Sequence, residues 1–167
     1  DFSIASGSYS TAMGSSSEAT GVYSTAIGDF VIASGSGATA FGSESLAFGD
    51  YSTAMGRYTK AFGDYSTAMG YDSRASGSYS TAMGMYTEAL GERSTAMGYY
   101  SDALGDYSAA MGLFTPASGN FSTAMGYGTT AASGFETVLG RFNTSYMPND
   151  SFSWDAADRL FVVGNGT

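Results

Sequence analysis

The chain has no cysteine and no histidine, and Lys60 is its only lysine. Without Cys there is no disulfide, no thiolate metal site and no thiol nucleophile. Without His the commonest metal ligand and general base is missing. Serines are abundant, but the residues present supply no base to activate one, so neither enzymatic activity nor a cofactor is expected. Basic residues are scarce, with Lys+Arg 6 against Asp+Glu 15 and a formal net charge of -9. That balance argues against a nucleic-acid partner, because phosphate binding needs clustered Lys and Arg. No apolar run approaches the ~20 residues of a membrane helix, and no leader peptide is visible, so direct membrane contact is not expected of this segment. Charged residues reach only 13% while aromatics reach 15%, which is not the composition of a charge-driven disordered chain. The first residue is Asp1, in phase with the repeat described next and without an initiator Met; the segment reads as a fragment of a longer chain.

What is present is a repeat. Gly falls at every multiple of seven from Gly7 to Gly126, and Ala stands two places before each, from Ala5 to Ala124 and again at Ala131. The third place is Ser or Thr except at Val31 and Ala38, and the second is often aromatic, as in Tyr9, Tyr23, Phe30, Tyr51, Tyr65, Tyr79, Tyr107 and Phe121. Alternate units carry Thr-Ala-Met, as at Thr53/Met55 and Thr67/Met69, whereas the intervening units vary, as at Lys60/Phe62 and Arg74/Ser76. The true period is therefore 14, in two unequal halves. A seven-residue period is also the mark of a coiled coil, but one Gly per heptad costs a helix roughly 1 kcal/mol each, and aromatic and β-branched residues add to that. Within Ser-Thr-Ala-Met-Gly the alternation has period two, which is strand-like. Two short strands per 14 residues, each closed by Gly and a following Asp, Ser or Asn, predict a flat, parallel, all-β solenoid. About nine coils at ~4.8 Å each give a rod roughly 45 Å long.

Strand parity sorts the side chains. Ser10, Ala12 and Gly14 point one way, Thr11 and Met13 the other. The small set recurs on both strands and is assigned to the interior, so the Thr/Met set faces outward. One outer face then carries an apolar column: Met13, Ile27, Phe41, Met55, Met69, Met83, Met97, Met111 and Met125. Soluble monomers rarely leave so long a stripe in water, and each such side chain gains roughly 1.5–3 kcal/mol on burial. The column is therefore predicted to be an interface between subunits. The opposite outer face is mixed and charged. There Arg57, Tyr58, Lys60, Arg74, Tyr86, Glu88 and Tyr100 form a candidate ligand face.

Other motifs are absorbed by the repeat. Gly35-Ser36-Gly37-Ala38 mimics a dinucleotide-binding turn but lacks the strand–helix context that such a turn needs. Asp29, Asp50, Asp64 and Asp106 stand at turn starts and read as solvated turn residues rather than as a Ca²⁺ site. The methionines read as packing rather than as soft-metal ligands. The Thr column (Thr11, Thr25, Thr39, Thr53, Thr67, Thr81, Thr95, Thr123) raises an ice-templating surface as a lesser alternative, roughened by the Met beside each Thr.

The units Tyr51-Ser52-Thr53-Ala54-Met55-Gly56 and Tyr79-Ser80-Thr81-Ala82-Met83-Gly84, each followed by a Ser-x-Ala-x-Gly or similar unit, resemble the 14-residue repeats of YadA-like trimeric autotransporter adhesin heads. The likeness covers residues 1 to about 134. It implies a left-handed parallel β-roll, three copies side by side as a homotrimer, on an extracellular stalk anchored in an outer membrane. It also implies attachment to a host matrix protein, a surface glycan or an environmental surface. The chain departs from that pattern in favouring Thr and Met where many heads carry Val and Ile.

The rhythm breaks at Tyr127, with an eight-residue unit ending at Gly134. Residues 1–134 are assigned to the roll and 135–167 to a C-terminal cap or neck, since an open solenoid end exposes unpaired backbone. The stretch from Arg141-Phe142-Asn143 to Leu160-Phe161-Val162-Val163-Gly164 is also similar to segments of phage tail proteins that precede a self-cleaving chaperone module. A tail-fibre or tailspike shaft on a virion surface is therefore the alternative to a cell-surface head.

Overall fold

The computed structural model describes residues 2–166. Among them every regular element is a strand, and all the pairings are parallel. The elements are β1 (Ile4–Ala5), β2 (Thr11–Ser15), β3 (Glu18–Ala19), β4 (Thr25–Asp29), β5 (Ile32–Ala33), β6 (Thr39–Ser43), β7 (Leu46–Ala47), β8 (Thr53–Arg57) and β9 (Lys60–Ala61). They continue as β10 (Thr67–Tyr71), β11 (Arg74–Ala75), β12 (Thr81–Met85), β13 (Glu88–Ala89), β14 (Thr95–Ala103), β15 (Ala109–Ala117), β16 (Thr123–Tyr127), β17 (Thr137–Arg141) and β18 (Phe161–Asn165). Each coil is a five-residue strand, a turn, a two-residue strand and a second turn; in β14 and β15 both strands and the turn between them run together. Long strands pair with long and short with short, so each residue sits beside its equivalent one coil on: Met55 with Met69, Ala61 with Ala75. The fold is the predicted parallel solenoid, with about ten turns instead of nine.

The interior is one layer of small side chains from each wall. Every Ala of the repeat from Ala19 to Ala131 is fully buried, and so are the third-place Ser and Thr residues from Ser17 to Thr129, Ser108 showing only 2%. Val31 and Ala38 occupy that third place as buried apolar residues. Buried hydroxyls need partners, and the coil supplies them at some of these places, while among the described residues those of Ser52, Ser66, Ser80, Thr87, Ser122 and Thr129 find none within the chain. Ser24, Ser94 and Ser108 donate to the carbonyls of Gly21, Gly91 and Gly105 at the turn three residues earlier. Ser45 and Ser73 donate across to Gly56 and Gly84.

Two backbone constraints shape the turns. The first is contact between coils: a Cβ on Gly63 would lie 2.2 Å from the Gly77 carbonyl oxygen, although Gly63 has no unusual φ. Gly56 combines the same crowding, 2.0 Å from Gly70 O, with a φ of 134°. The second constraint falls elsewhere than the sequence pattern implied. The left-handed residue of each turn is the second place, occupied by Tyr9, Tyr51, Tyr65, Tyr79, Tyr107 and Phe121 with φ of 55–59°. Left-handed backbone costs a non-glycine residue roughly 1–2 kcal/mol. Stacking offsets that cost: Tyr51, Tyr65 and Tyr79 lie face to face at 5.2 and 4.9 Å, and Tyr107, Phe121 and Phe135 at 4.8 Å. Such pairs contribute roughly 0.5–1.5 kcal/mol each.

The 14-residue register passes residue 134 without a break. Thr137 to Arg141 pair with Thr123 to Tyr127, and Ser133 stands where a Gly is due, its carbonyl 2.0 Å from a notional Cβ on Gly119. Glu136 takes the third place and Val138 the fifth, both fully buried. The chain then leaves the ladder and returns as β18, whose Phe161–Asn165 continue the columns from Thr137–Arg141. Glu136 would be an uncompensated charge in the interior. It instead accepts the N–H groups of Ala132 (2.7 Å) and Ser133 (3.2 Å) and pairs with Arg159 at 3.1 Å. Arg159 lies 3.7 Å over the Tyr146 ring and donates to Thr144 O at 2.6 Å, while Tyr146 donates to the Ser133 hydroxyl at 2.6 Å. This polar cluster ties the returning segment to the last coil.

Gly63→Ala forces a methyl onto backbone rather than onto a movable side chain and should lower unfolding free energy by about 3 kcal/mol, measured by denaturant melts. Arg159→Met strands the Glu136 charge and should cost about 3 kcal/mol, at the low end for a buried pair because Arg159 is partly solvated. The double variant Glu136→Ser/Arg159→Met restores the third-place residue of the repeat and should recover most of that loss.

Candidate functional site

The roll offers two outer faces and two turn edges. On the long-strand face the predicted apolar residues form one unbroken column in register, from Met13 opposite Ile27 through Phe41, Met55, Met69, Met83, Met97 and Met111 to Met125. None is taken into the interior: Met13, Phe41, Met55, Met83 and Met125 are exposed and the others half-buried among their neighbours. The column also runs further than the sequence pattern showed, through Leu139 to Val163, which is 64% exposed. Leu139 immediately precedes Gly140, a multiple of seven, and that spacing was the available signal.

The short-strand face carries the variable fourth-place residues in a row. Lys60, Arg74 and Glu88 are paired one above another on β9, β11 and β13, and Asp102 follows on β14. Tyr58, Tyr86 and Tyr100 stand on the adjoining turn edge, with Tyr86 and Tyr100 stacked at 4.8 Å. Six of the seven predicted face residues thus line two neighbouring depressions. One, about 230 Å³, is bounded by Lys60, Asp72, Arg74, Tyr86, Glu88, Tyr100 and Asp102. The other, about 640 Å³, is bounded by Asp29, Phe30, Glu44, Leu46, Tyr58 and Lys60. Arg57 stands apart from both, its guanidinium 4.7 Å over the Tyr58 ring and donating to the Tyr58 hydroxyl at 3.0 Å.

Charges in the first depression are largely matched. Lys60 meets Asp72 at 3.8 Å and Arg74 meets Glu88 at 3.5 Å, all four about 40% exposed. Pairs so solvated contribute at most about 1 kcal/mol. Asp102 is left without a close cation. Burial pushes its carboxyl above the ordinary range and the neighbouring Glu88 charge adds to this, against smaller opposing effects of a backbone hydrogen bond and of Arg74. The sequence pattern did not single out Asp72 or Asp102, nor Tyr71, whose ring stands edge-on to both Tyr58 (5.7 Å) and Tyr86 (5.5 Å).

The acidic turn residues divide. Asp50, Asp64 and Asp106 each accept a backbone N–H of the preceding coil, from Ser36, Asp50 and Glu92 at 2.8–2.9 Å. They therefore clasp one coil to the next. Asp29 ends strand β4 and lines the larger depression.

The family described as the YadA head domain repeat matches residues 5–30, 33–59, 61–87, 89–115 and 117–134 of this chain. No curated protein matches it.

A carboxyl whose folded-state pKa is raised lowers stability above that pKa and ceases to do so as pH falls through it. Asp102→Asn should therefore raise the melting temperature at pH 7, by less than about 1 kcal/mol in stability terms. The difference from wild type should shrink towards zero as the buffer is taken down through the carboxylate range, followed by thermal melts across pH.

Proposed function

Because the chain belongs to the YadA head domain repeat family, we propose that it is the head section of a surface adhesin, a stiff non-catalytic rod that presents its variable face and turns outside the cell. In this reading three copies lie side by side with their long-strand faces together, and the Met13–Met125 column, lengthened by Leu139 and Val163, is sealed between them. The observation that carries the reading is that this column is continuous, in register and left in water on a single chain. An apolar stripe of that length is the usual mark of an interface. The short-strand face, with Lys60, Arg74, Glu88, Tyr86 and Tyr100 around its depressions, then looks outward to a matrix protein, glycan or other surface. The threonine column fits ice templating poorly, since a bulky Met, Ile or Phe stands beside each Thr and Ala109 interrupts the column. A virion-borne shaft would share rod and interface, and binding to immobilised matrix proteins and glycans favours the cell-surface head over it.

Mass measurement in solution tests the assembly. Wild type should run as a trimer, and Met55→Glu/Met69→Glu/Met83→Glu combined should run as a folded monomer. A wild-type monomer, or a trimer that survives the triple change, contradicts the interface.

A further inference from the structure

The two depressions on the short-strand face share Lys60 but differ in how their charges are met. In the smaller one Lys60 pairs with Asp72 and Arg74 with Glu88. The larger one, about 640 Å³, is bounded by Asp29, Phe30, Glu44, Leu46, Tyr58 and Lys60. Its one cation, Lys60, is turned to Asp72 at 3.8 Å. Among the described residues no ion pair reaches Asp29 or Glu44. The Glu44 N–H donates to the Asp29 carbonyl at 2.8 Å, so the two exposed carboxylates rise from adjoining coils. Unmatched and side by side in a cleft, they favour a cation. A Ca²⁺ ion takes roughly six to eight oxygens, and among the described residues no group of three or more acidic side chains gathers to supply them.

The walls narrow the choice further. Along this edge the second-place residues run Phe30, Glu44, Tyr58. The two rings are two coils apart, roughly 9.6 Å at two strand spacings, and Leu46, in register with Lys60, adds an apolar side. Arg57 covers the Tyr58 ring at 4.7 Å but does not border the depression. The opposite edge shows what such a setting holds. There Arg93 is the second-place residue between Tyr79 and Tyr107, also two coils apart, and its guanidinium lies 5.2 and 5.3 Å from the two ring centres. The same guanidinium donates to the Glu92 carboxylate at 2.7 Å. At Glu44 the rings and the carboxylates are present, but the residue between the rings is itself an anion. A guanidinium there has to come from outside the chain.

We propose that the depression between Phe30 and Tyr58 receives an arginine side chain of a partner polypeptide. The guanidinium lies against the rings with Glu44 and Asp29 as acceptors, and its methylene stem rests on Leu46. Cation–π attraction and planar stacking favour Arg over Lys at such a place, and the net charge of -9 favours a basic partner. This deepens, and rests on, the reading of the short-strand face as the one that looks outward.

The test is titration of the assembled protein with acetyl-Gly-Arg-Gly-amide and its lysine and citrulline counterparts, read on the ring resonances of Phe30 and Tyr58. The arginine peptide should shift both, with affinity about tenfold above the other two. Glu44→Gln keeps the shape of an exposed side chain and should weaken the response about tenfold. Glu44→Arg supplies the group from within, on a backbone (φ 53°) matching that of Arg93 (φ 54°). It should fold, melt no lower than wild type and lose the response. An equal response to the lysine or citrulline peptide, or a response unchanged in Glu44→Gln, overturns the proposal. So does a shift of these rings by methyl glycosides and not by the arginine peptide, which makes the depression a sugar site. Attachment to immobilised matrix proteins and glycans separates this idea from the head reading. If wild type and Glu44→Arg attach equally and neither takes the arginine peptide, the arginine site falls and the head reading stands. If the peptide titrates as expected but no surface is bound, the arginine site stands and the head reading falls.

Discussion

The interior of this roll is too thin for anything larger than alanine and serine along most of its length, and the glycine columns make it so. With carbonyl oxygens pressed to about 2 Å from where a Cβ would sit, successive coils leave no space for a side chain at that place. The walls meet through Ala methyls and Ser hydroxyls. Each large side chain of the repeat is therefore displaced outward, to the long-strand face, the short-strand face or the turn edges. A fold that cannot hide its thioethers and rings has to organise them on its surface, in columns set by the strand spacing.

Those columns have different consequences. The Met column is apolar, straight and continuous, and a single chain leaves it facing water. The aromatic columns supply the stacking that sustains a left-handed residue in nearly every turn. They behave like stacked plates, and where a glycine takes the place of one the next ring leans over it, as Tyr51 does at Gly37 and Phe142 at Gly128. The short-strand row is where the repeat places no constraint on residue type, so it collects Lys60, Arg74, Glu88 and Asp102 and their shallow depressions. Packing constraint and functional freedom thus alternate around a single coil.

Closure of the C-terminal end follows from the same geometry. Ser133 takes a glycine place without strain because the short-strand ladder ends at the Ala117–Ala131 bridge, and no further glycine carbonyl presses on its Cβ. With that side open, Glu136 can enter a serine place and be matched by Arg159 from the returning segment. The apparent break at residue 134 in the sequence is a substitution within an unbroken register. The eye follows glycine, whereas the ladder follows backbone spacing.

The sequence by itself determined the period, the strand character, the small interior and the outward direction of Met13 through Met125, because side-chain parity along a strand is a local property. It also placed Tyr58, Lys60, Arg74, Tyr86, Glu88 and Tyr100 on one side. Only the tertiary structure decided what lies beside what: that the left-handed turn residue is the aromatic one, that Asp72 and Asp102 complete the depression, and that Leu139 and Val163 extend the apolar column. Those facts depend on contacts between residues 14 or more apart, and on which side chain happens to reach across a coil, and no pattern within one repeat encodes that.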